Sequence, residues 1–234
     1  MPTITIIETG LVPSDLQAEY GSYPQMFEQL LGRPDGQIRF ETVSPCKGEA
    51  LPSLDEIEAI LITGSAAGVY DGLDWIAPLE DFIRAAHSRG KPMVGVCFGH
   101  QLIAQALGGV VRKSERGWGI GRHVYDVAPG NGLIEGAQLA IACSHQDQVI
   151  EPPADAQTIL SSAFTPYAGL LYANGTTLTV QPHPEFTTAY AFTRCEARTG
   201  HVPDELVATG KASLAGELDS AKLGQVIGAF LTRA

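Results

Sequence analysis

Pro92-Met93-Val94-Gly95-Val96-Cys97-Phe98-Gly99-His100-Gln101 passes from a short apolar run straight into a helical pattern. It reads as a strand that turns into a helix, with Cys97 at the corner. Such a corner is a place for a nucleophile. The glycines at 95 and 99 suit a sharp turn that forces the cysteine side chain out at the sheet edge. The unpaired amides and macrodipole of a helix N-terminus favour an anion, and so a thiolate. The competing reading, a buried cysteine acting as a small apolar residue, leaves the two flanking glycines without a purpose.

Outward from this corner, the helix is expected to run to about Leu107 and to stop at Gly108-Gly109. Strand-like runs near 3–8, 37–43, 58–63 and 92–96 alternate with amphipathic stretches at 14–31 and 74–88. The first of these stretches has Ser14 as a candidate N-cap and Gly32 as a stop. This alternation predicts an α/β fold, a mostly parallel central sheet with helices on both faces. Between 110 and 180 the pattern changes to short strands with turn signals, including a hairpin at Ala173-Asn174-Gly175, which predicts a small antiparallel extension. Residues 187–234 read as C-terminal helices, with an apolar stripe through Leu223, Val226, Ile227 and Phe230 that packs on the core. The expected organisation is one domain over 1–234, with its core at about 1–190 and a helical extension at about 187–234.

A cysteine nucleophile needs a base. Gln181-Pro182-His183-Pro184-Glu185-Phe186 follows the strand-like run at 176–180, and each residue before a proline is held extended. In an extended chain His183 and Glu185 project to one side, where a carboxylate can fix the imidazole tautomer and stabilise the imidazolium. The triad reading is Cys97 as nucleophile, His183 as general base and then acid, and Glu185 as orienter. The plainer alternative is a strand end with a surface His and Glu. A third element, Ile60-Leu61-Ile62-Thr63-Gly64-Ser65-Ala66-Ala67-Gly68-Val69-Tyr70-Asp71, is a buried strand breaking into small residues. The amides of Gly64 or Ser65, together with that of Phe98, are candidate donors to a tetrahedral oxyanion. A phosphate cradle fits less well, because neither a Gly-Lys-Ser/Thr ending nor a Gly-x-Gly-x-x-Gly spacing is present.

Four blocks, at 95–101, 182–185, 63–71 and Ser144-His145-Gln146-Asp147-Gln148-Val149, together resemble a class I (triad) glutamine amidotransferase. The likeness is to free-standing glutaminase domains related to the amidotransferase part of GMP synthase. It implies a flavodoxin-like α/β core and hydrolysis of the γ-amide of glutamine through a γ-glutamyl thioester on Cys97, releasing ammonia for an acceptor. It also implies that Gln101, Ser144 and His145 line the glutamine pocket. Thr63-Gly64-Ser65-Ala66 departs from the family's commonest Ser-Gly-Gly-Pro but keeps the backbone donors.

The composition agrees with a cytoplasmic enzyme acting on a small molecule. A chain of 234 residues with 44% hydrophobic residues can bury one sizeable core. The formal charge of −11, from 26 acidic and 15 basic residues, argues against binding a nucleic-acid backbone. Cys46, Cys97, Cys143 and Cys195 lack zinc-ligand spacing and a Cys-x-x-Cys pair, so neither metal nor disulfide is expected, and no cofactor motif is present. The N-terminus reads as a first strand and not a signal peptide, and no apolar run approaches membrane-helix length.

Three functions remain open on these residues. The first is an amidotransferase that passes ammonia to a separate synthetase or acceptor protein. The second is a γ-glutamyl peptidase or hydrolase using the same triad, and the third is a non-catalytic binding protein. An α/β-hydrolase order with Asp147 as the acid is a further alternative, weakened by Glu185 standing beside His183. His100 reads as a packing or cap residue rather than a second base, and Trp118 as either a pocket border or a turn anchor.

Overall fold

The computed structural model describes residues 1–32 and 37–233; residues 33–36 and 234 of the span read as one domain lie outside it. Apolar β-branched runs form the centre. Strands β1 (Thr3–Ile7), β2 (Arg39–Val43), β3 (Ala59–Ile62), β4 (Met93–Val96) and β11 (Thr177–Val180) pair in parallel in the order β2-β1-β3-β4-β11. Every residue of β3, β4 and β11 is buried, as strands covered on both faces require. The sheet then continues antiparallel through β10 (Gly169–Tyr172), β9 (Ala156–Ser161), β6 (Gly119–Val127) and β7 (Gln138–His145), making nine strands. A separate antiparallel pair joins β5 (Val110–Lys113) and β8 (Asp147–Glu151). The α/β architecture with an antiparallel extension is as the sequence predicts, and the 173–175 turn does join β10 to β11.

Helices α2 (Tyr23–Leu31) and α7 (Ser220–Thr232) cover one face, where Phe27, Leu31, Leu223, Ile227 and Phe230 meet Ile4, Ile6 and Leu61. Helices α3 (Ile76–Ser88) and α4 (Phe98–Ala106) cover the other, packing Leu79, Ile83, Leu102 and Ile103 on Ile60 and Ile62. Burying each such side chain contributes roughly 1.5–3 kcal/mol. Helices α5 (Thr188–Glu196) and α6 (Asp204–Ser213) lie against the antiparallel half, around Ile120, Ala142 and Tyr190.

One expected helix is wrong in detail. The stretch at 14–31 is two helices, a short α1 (Gln17–Tyr20) and α2, divided at Gly21, whose φ of 74° lies in the left-handed region. The cap is Ser22, not Ser14. The Ser22 hydroxyl accepts from the Gln25 amide at 3.3 Å while the Gln25 side chain accepts from the Ser22 amide at 2.8 Å, a reciprocal box that satisfies two orphan donors.

Strand order reverses about β1, so the loops after β1, β3 and β4 emerge together at the carboxyl edge, where open α/β sheets place ligands.

Candidate active site

Cys97 is the only non-glycine residue with a positive φ among the described residues, at φ 52° and ψ −102°. Its amide donates to Val180 O at 2.9 Å, tying the corner to β11, while the Gly99 amide donates to Thr63 O at 3.2 Å, tying the helix start to the end of β3. The neighbouring glycines act differently from the turn role expected of them. Neither Gly95 nor Gly99 has a positive φ. They allow close approach instead: a Cβ on Gly99 would lie 2.4 Å from Ile62 O, and one on Gly95 would lie 2.5 Å from the backbone of Gly99. Helix α4 therefore sits directly on the sheet, and the strain is carried by Cys97 itself.

His183 leaves the end of β11 and bridges to β7, its amide donating to Ala142 O at 2.9 Å. Its Nδ1 lies 2.7 Å from Glu185 Oε1, and both side chains are buried. Phe186 stacks on the imidazole with centroids 4.0 Å apart and planes 10° from parallel, and Tyr190 meets Phe186 edge-on at 4.7 Å. Burial opposes the imidazolium, but the Cys97 sulfur, which is in hydrogen-bonding reach, and then Glu185 outweigh it and push the His183 pKa up to about 10. Cys97, His183 and Glu185, the three residues of the expected triad, are thus brought together. Asp147, the acid of the alternative order, is not the partner of His183: its carboxylate accepts from the Tyr70 hydroxyl at 2.6 Å.

The Gly64 loop closes the other side. A Cβ on Gly64 would lie 3.0 Å from His183 Cε1 and 3.7 Å from Cys97 Cβ, so the loop backbone lies against both. Thr9 fixes it, its hydroxyl donating to Thr63 O at 2.9 Å and its amide to Thr63 Oγ1 at 3.0 Å. Gly10 has no room for a side chain, because a Cβ there would lie 2.6 Å from Ser65 Cα. Of the helix-start amides, Gly99's is committed to Thr63, and Phe98's has no acceptor within the helix by position.

A cavity of about 280 Å³ opens over Cys97. Ser65, Gln101, Ser144 and His145 line it, as do Tyr70 and Asp147. The Gln101 side-chain amide donates to Asp147 O at 2.8 Å and to Gln181 Oε1 at 3.1 Å. Burial, then His123 and His183, lower the His145 pKa to about 3, so this imidazole is neutral. His100 faces away from the cavity's chemistry: it is wholly buried against Thr179 Oγ1 at 2.8 Å and its pKa is lowered by that burial to about 3.

Residues 27–193 match the class-I glutamine amidotransferase family, to which this chain therefore belongs. It is 31% identical to γ-glutamyl peptidase 4 of Arabidopsis thaliana over 207 residues, 83% of this chain and 81% of that protein. It is also 28% identical to a subunit of the glutamine-hydrolysing GMP synthase of Sulfolobus acidocaldarius over 161 residues, 68% of this chain and 84% of that one. In fold it matches a glutamine amidotransferase from Methylobacillus flagellatus with a TM-score of 0.79 and 18% identity, over 99% of this chain and 94% of the other. No helix among the described residues is long and apolar enough to cross a membrane.

Several residues at this site escape a reading of the sequence. Thr9 and Gly10 carry no chemical signal, being ordinary residues past a strand end. Lys113, Arg194 and Arg198 also border the cavity. The i, i+4 spacing of the two arginines near the end of α5 is the available sign that they share a helix face.

Proposed function

We propose that this protein hydrolyses γ-glutamyl amide bonds through a γ-glutamyl thioester on Cys97. The observation that supports this most is a strained cysteine in hydrogen-bonding reach of an imidazole whose other nitrogen is held by a buried carboxylate. In this reading Cys97 Sγ attacks the γ-carbonyl carbon, and the amides of Phe98 and of Gly64 or Ser65 receive the oxyanion. The His183 imidazolium gives its proton to the leaving nitrogen as the C–N bond breaks, and the amine departs. Neutral His183 then takes a proton from water as the water oxygen attacks the thioester. Collapse releases glutamate and restores the thiolate and imidazolium, while Glu185 holds the ring throughout. Gln101, Ser144 and His145 line the glutamyl pocket.

Glutamine and γ-glutamyl peptides differ here only in the amine that leaves. The likeness to a γ-glutamyl peptidase over four-fifths of both chains supports the peptide. The likeness to one subunit of a GMP synthase supports a second reading, in which ammonia passes to a separate synthetase protein.

The test is glutamate release from L-glutamine and from γ-glutamylglycine by the wild type and by Cys97→Ala, with acid-quenched protein weighed for a γ-glutamyl adduct. Release and adduct that both vanish in Cys97→Ala are expected. Release that survives the substitution overturns the thioester, and no release from either compound leaves the non-catalytic reading standing.

A further inference from the structure

Resting on the γ-glutamyl reading above, we propose that Lys113, Arg194 and Arg198 form a subsite for a carboxylate on the leaving amine. The preferred substrate is then a γ-glutamyl peptide with a free C-terminal carboxylate, ahead of free glutamine.

The chain has 15 basic residues against 26 acidic ones, so counter-ions are abundant. Four cations elsewhere use them: Lys47 pairs with Glu8, Arg84 with Asp81, Arg89 with Asp55 and Lys211 with Glu196, while Lys91, Arg116, Arg122 and Arg233 donate to backbone carbonyls. Lys113, Arg194 and Arg198 come from the end of β5, from α5 and from just beyond α5, yet all border the cavity over Cys97. Among the described residues none of the three makes an ion pair or donates a side-chain hydrogen bond. The carboxylates that line the same cavity are occupied otherwise, Asp71 by the Gly68 amide at 2.7 Å and Asp147 by the Tyr70 hydroxyl at 2.6 Å.

Arg198 is the best placed. Its guanidinium lies 3.7 Å above the centre of the Trp118 ring, which holds the plane while leaving the N–H edges free. Its Nε is buried without a hydrogen-bond partner. Burial, then the charge of Arg194, lowers its pKa, while Cys97 is close enough to act on it in the opposite direction. A half-dehydrated guanidinium without a partner is stabilised by an incoming carboxylate, and its fork suits bidentate contact.

We assign this carboxylate to the leaving side. His183 protonates the leaving nitrogen, so the departing group lies toward His183, and α5, which carries Arg194, packs its Tyr190 against the Phe186 ring that stacks on His183. Charge agrees, since a γ-glutamyl peptide brings two carboxylates and one ammonium where glutamine brings one of each.

The experiment compares γ-glutamylglycine, its C-terminal amide, and the isomer amidated at the glutamyl α-carboxyl. The proteins are the wild type, Arg194→Gln/Arg198→Gln, and Lys113→Gln as a variant altered only at an exposed position. The wild type should favour the free C-terminal carboxylate over its amide about 10- to 100-fold in kcat/KM, as expected for a charge-assisted hydrogen bond. That ratio should fall to within about threefold in the double variant, and partway in Lys113→Gln. Equal rates on acid and amide in the wild type overturn the proposal, as does a ratio the variants leave unchanged. If the variants instead erase discrimination against the α-amidated isomer, the cations hold the glutamyl carboxylate and the proposal fails. Should no compound be turned over, the hydrolytic reading fails by itself. The subsite is then read from calorimetric affinities of acid and amide for Cys97→Ala, where the same loss of ratio in the added arginine substitutions supports it, and equal affinities or no binding overturn it.

Discussion

Cys97 and His183 reach the same point by opposite means. Cys97 is held by its backbone: a left-handed corner clamped through Val180 O and, across the helix start, through Thr63 O, with two glycines letting α4 rest on the sheet. His183 is held by its side chain, between a carboxylate at 2.7 Å and a stacked phenyl ring at 4.0 Å. The difference follows from what each must do. In the proposed reaction the sulfur must keep its cavity side open although Cys97 is only 5% exposed, so the main chain holds it. A base must keep one tautomer, so its far nitrogen and ring face are enclosed.

The largest expected effect breaks the second arm. Glu185→Gln keeps the shape but removes the charge that stabilises the imidazolium, and should lower kcat for glutamate release by about 10²–10⁴-fold with the fold intact. Steady-state rates beside a circular dichroism spectrum check this; a rate within a few fold of wild type would mean that Glu185 only packs.

The first arm is tested by stability. Backbone strain of this kind costs roughly 1–3 kcal/mol, so Cys97→Gly should be more stable than Cys97→Ala, the reverse of the usual order for these residues. On a chain of this size each kcal/mol moves Tm by about 2–4 °C. Thermal melts of the two thiol-free variants compare like with like, and Ala at or above Gly would show that the corner stores no strain.

The smallest effect is spread over several pH units. His100, one turn along α4 from Cys97, and His145, in the cavity wall, are both buried neutral with pKa values lowered from 6.5 to about 3. Their contribution is complete above about pH 6.5, where the unfolded chain is also neutral, and is lost as pH falls toward 3, because only the unfolded chain gains the protons readily. Tm should decline over that window, and less in His145→Gln than in the wild type; parallel curves would remove His145 from the account.

Legibility in the sequence follows the range of the interaction. The corner at Cys97 and the Pro-His-Pro-Glu arm are readable because turn chemistry and proline restriction act over a few residues. The division at Gly21-Ser22 escapes notice because the apolar spacing of 14–31 continues through it, although Ser22 and Gln25 spell a capping box. What the glycines at 95 and 99 do depends on Ile62, a contact made across the sheet, so the pattern alone suggests a turn. The pairing of β6 with β7 and β9 is set by register between distant segments and is visible only as alternation. The cationic cluster is hidden for the same reason, with Lys113 far from the two arginines in the chain and joined to them only by folding.

Strands β4 and β11 are parallel neighbours, with Val96 opposite Val180. Cys97 and the arm that carries His183 therefore start one interstrand step of about 4.8 Å apart. The long excursion from β5 to β10 leaves and returns without entering that step, although its strand β7 holds the His183 amide through Ala142 O, and it carries Lys113, Trp118 and the Ser144–Asp147 side of the cavity. The parts of this excursion beyond Ala142 can be lengthened, trimmed or recharged while that step is kept, so the rim of the cavity can diverge without moving its floor.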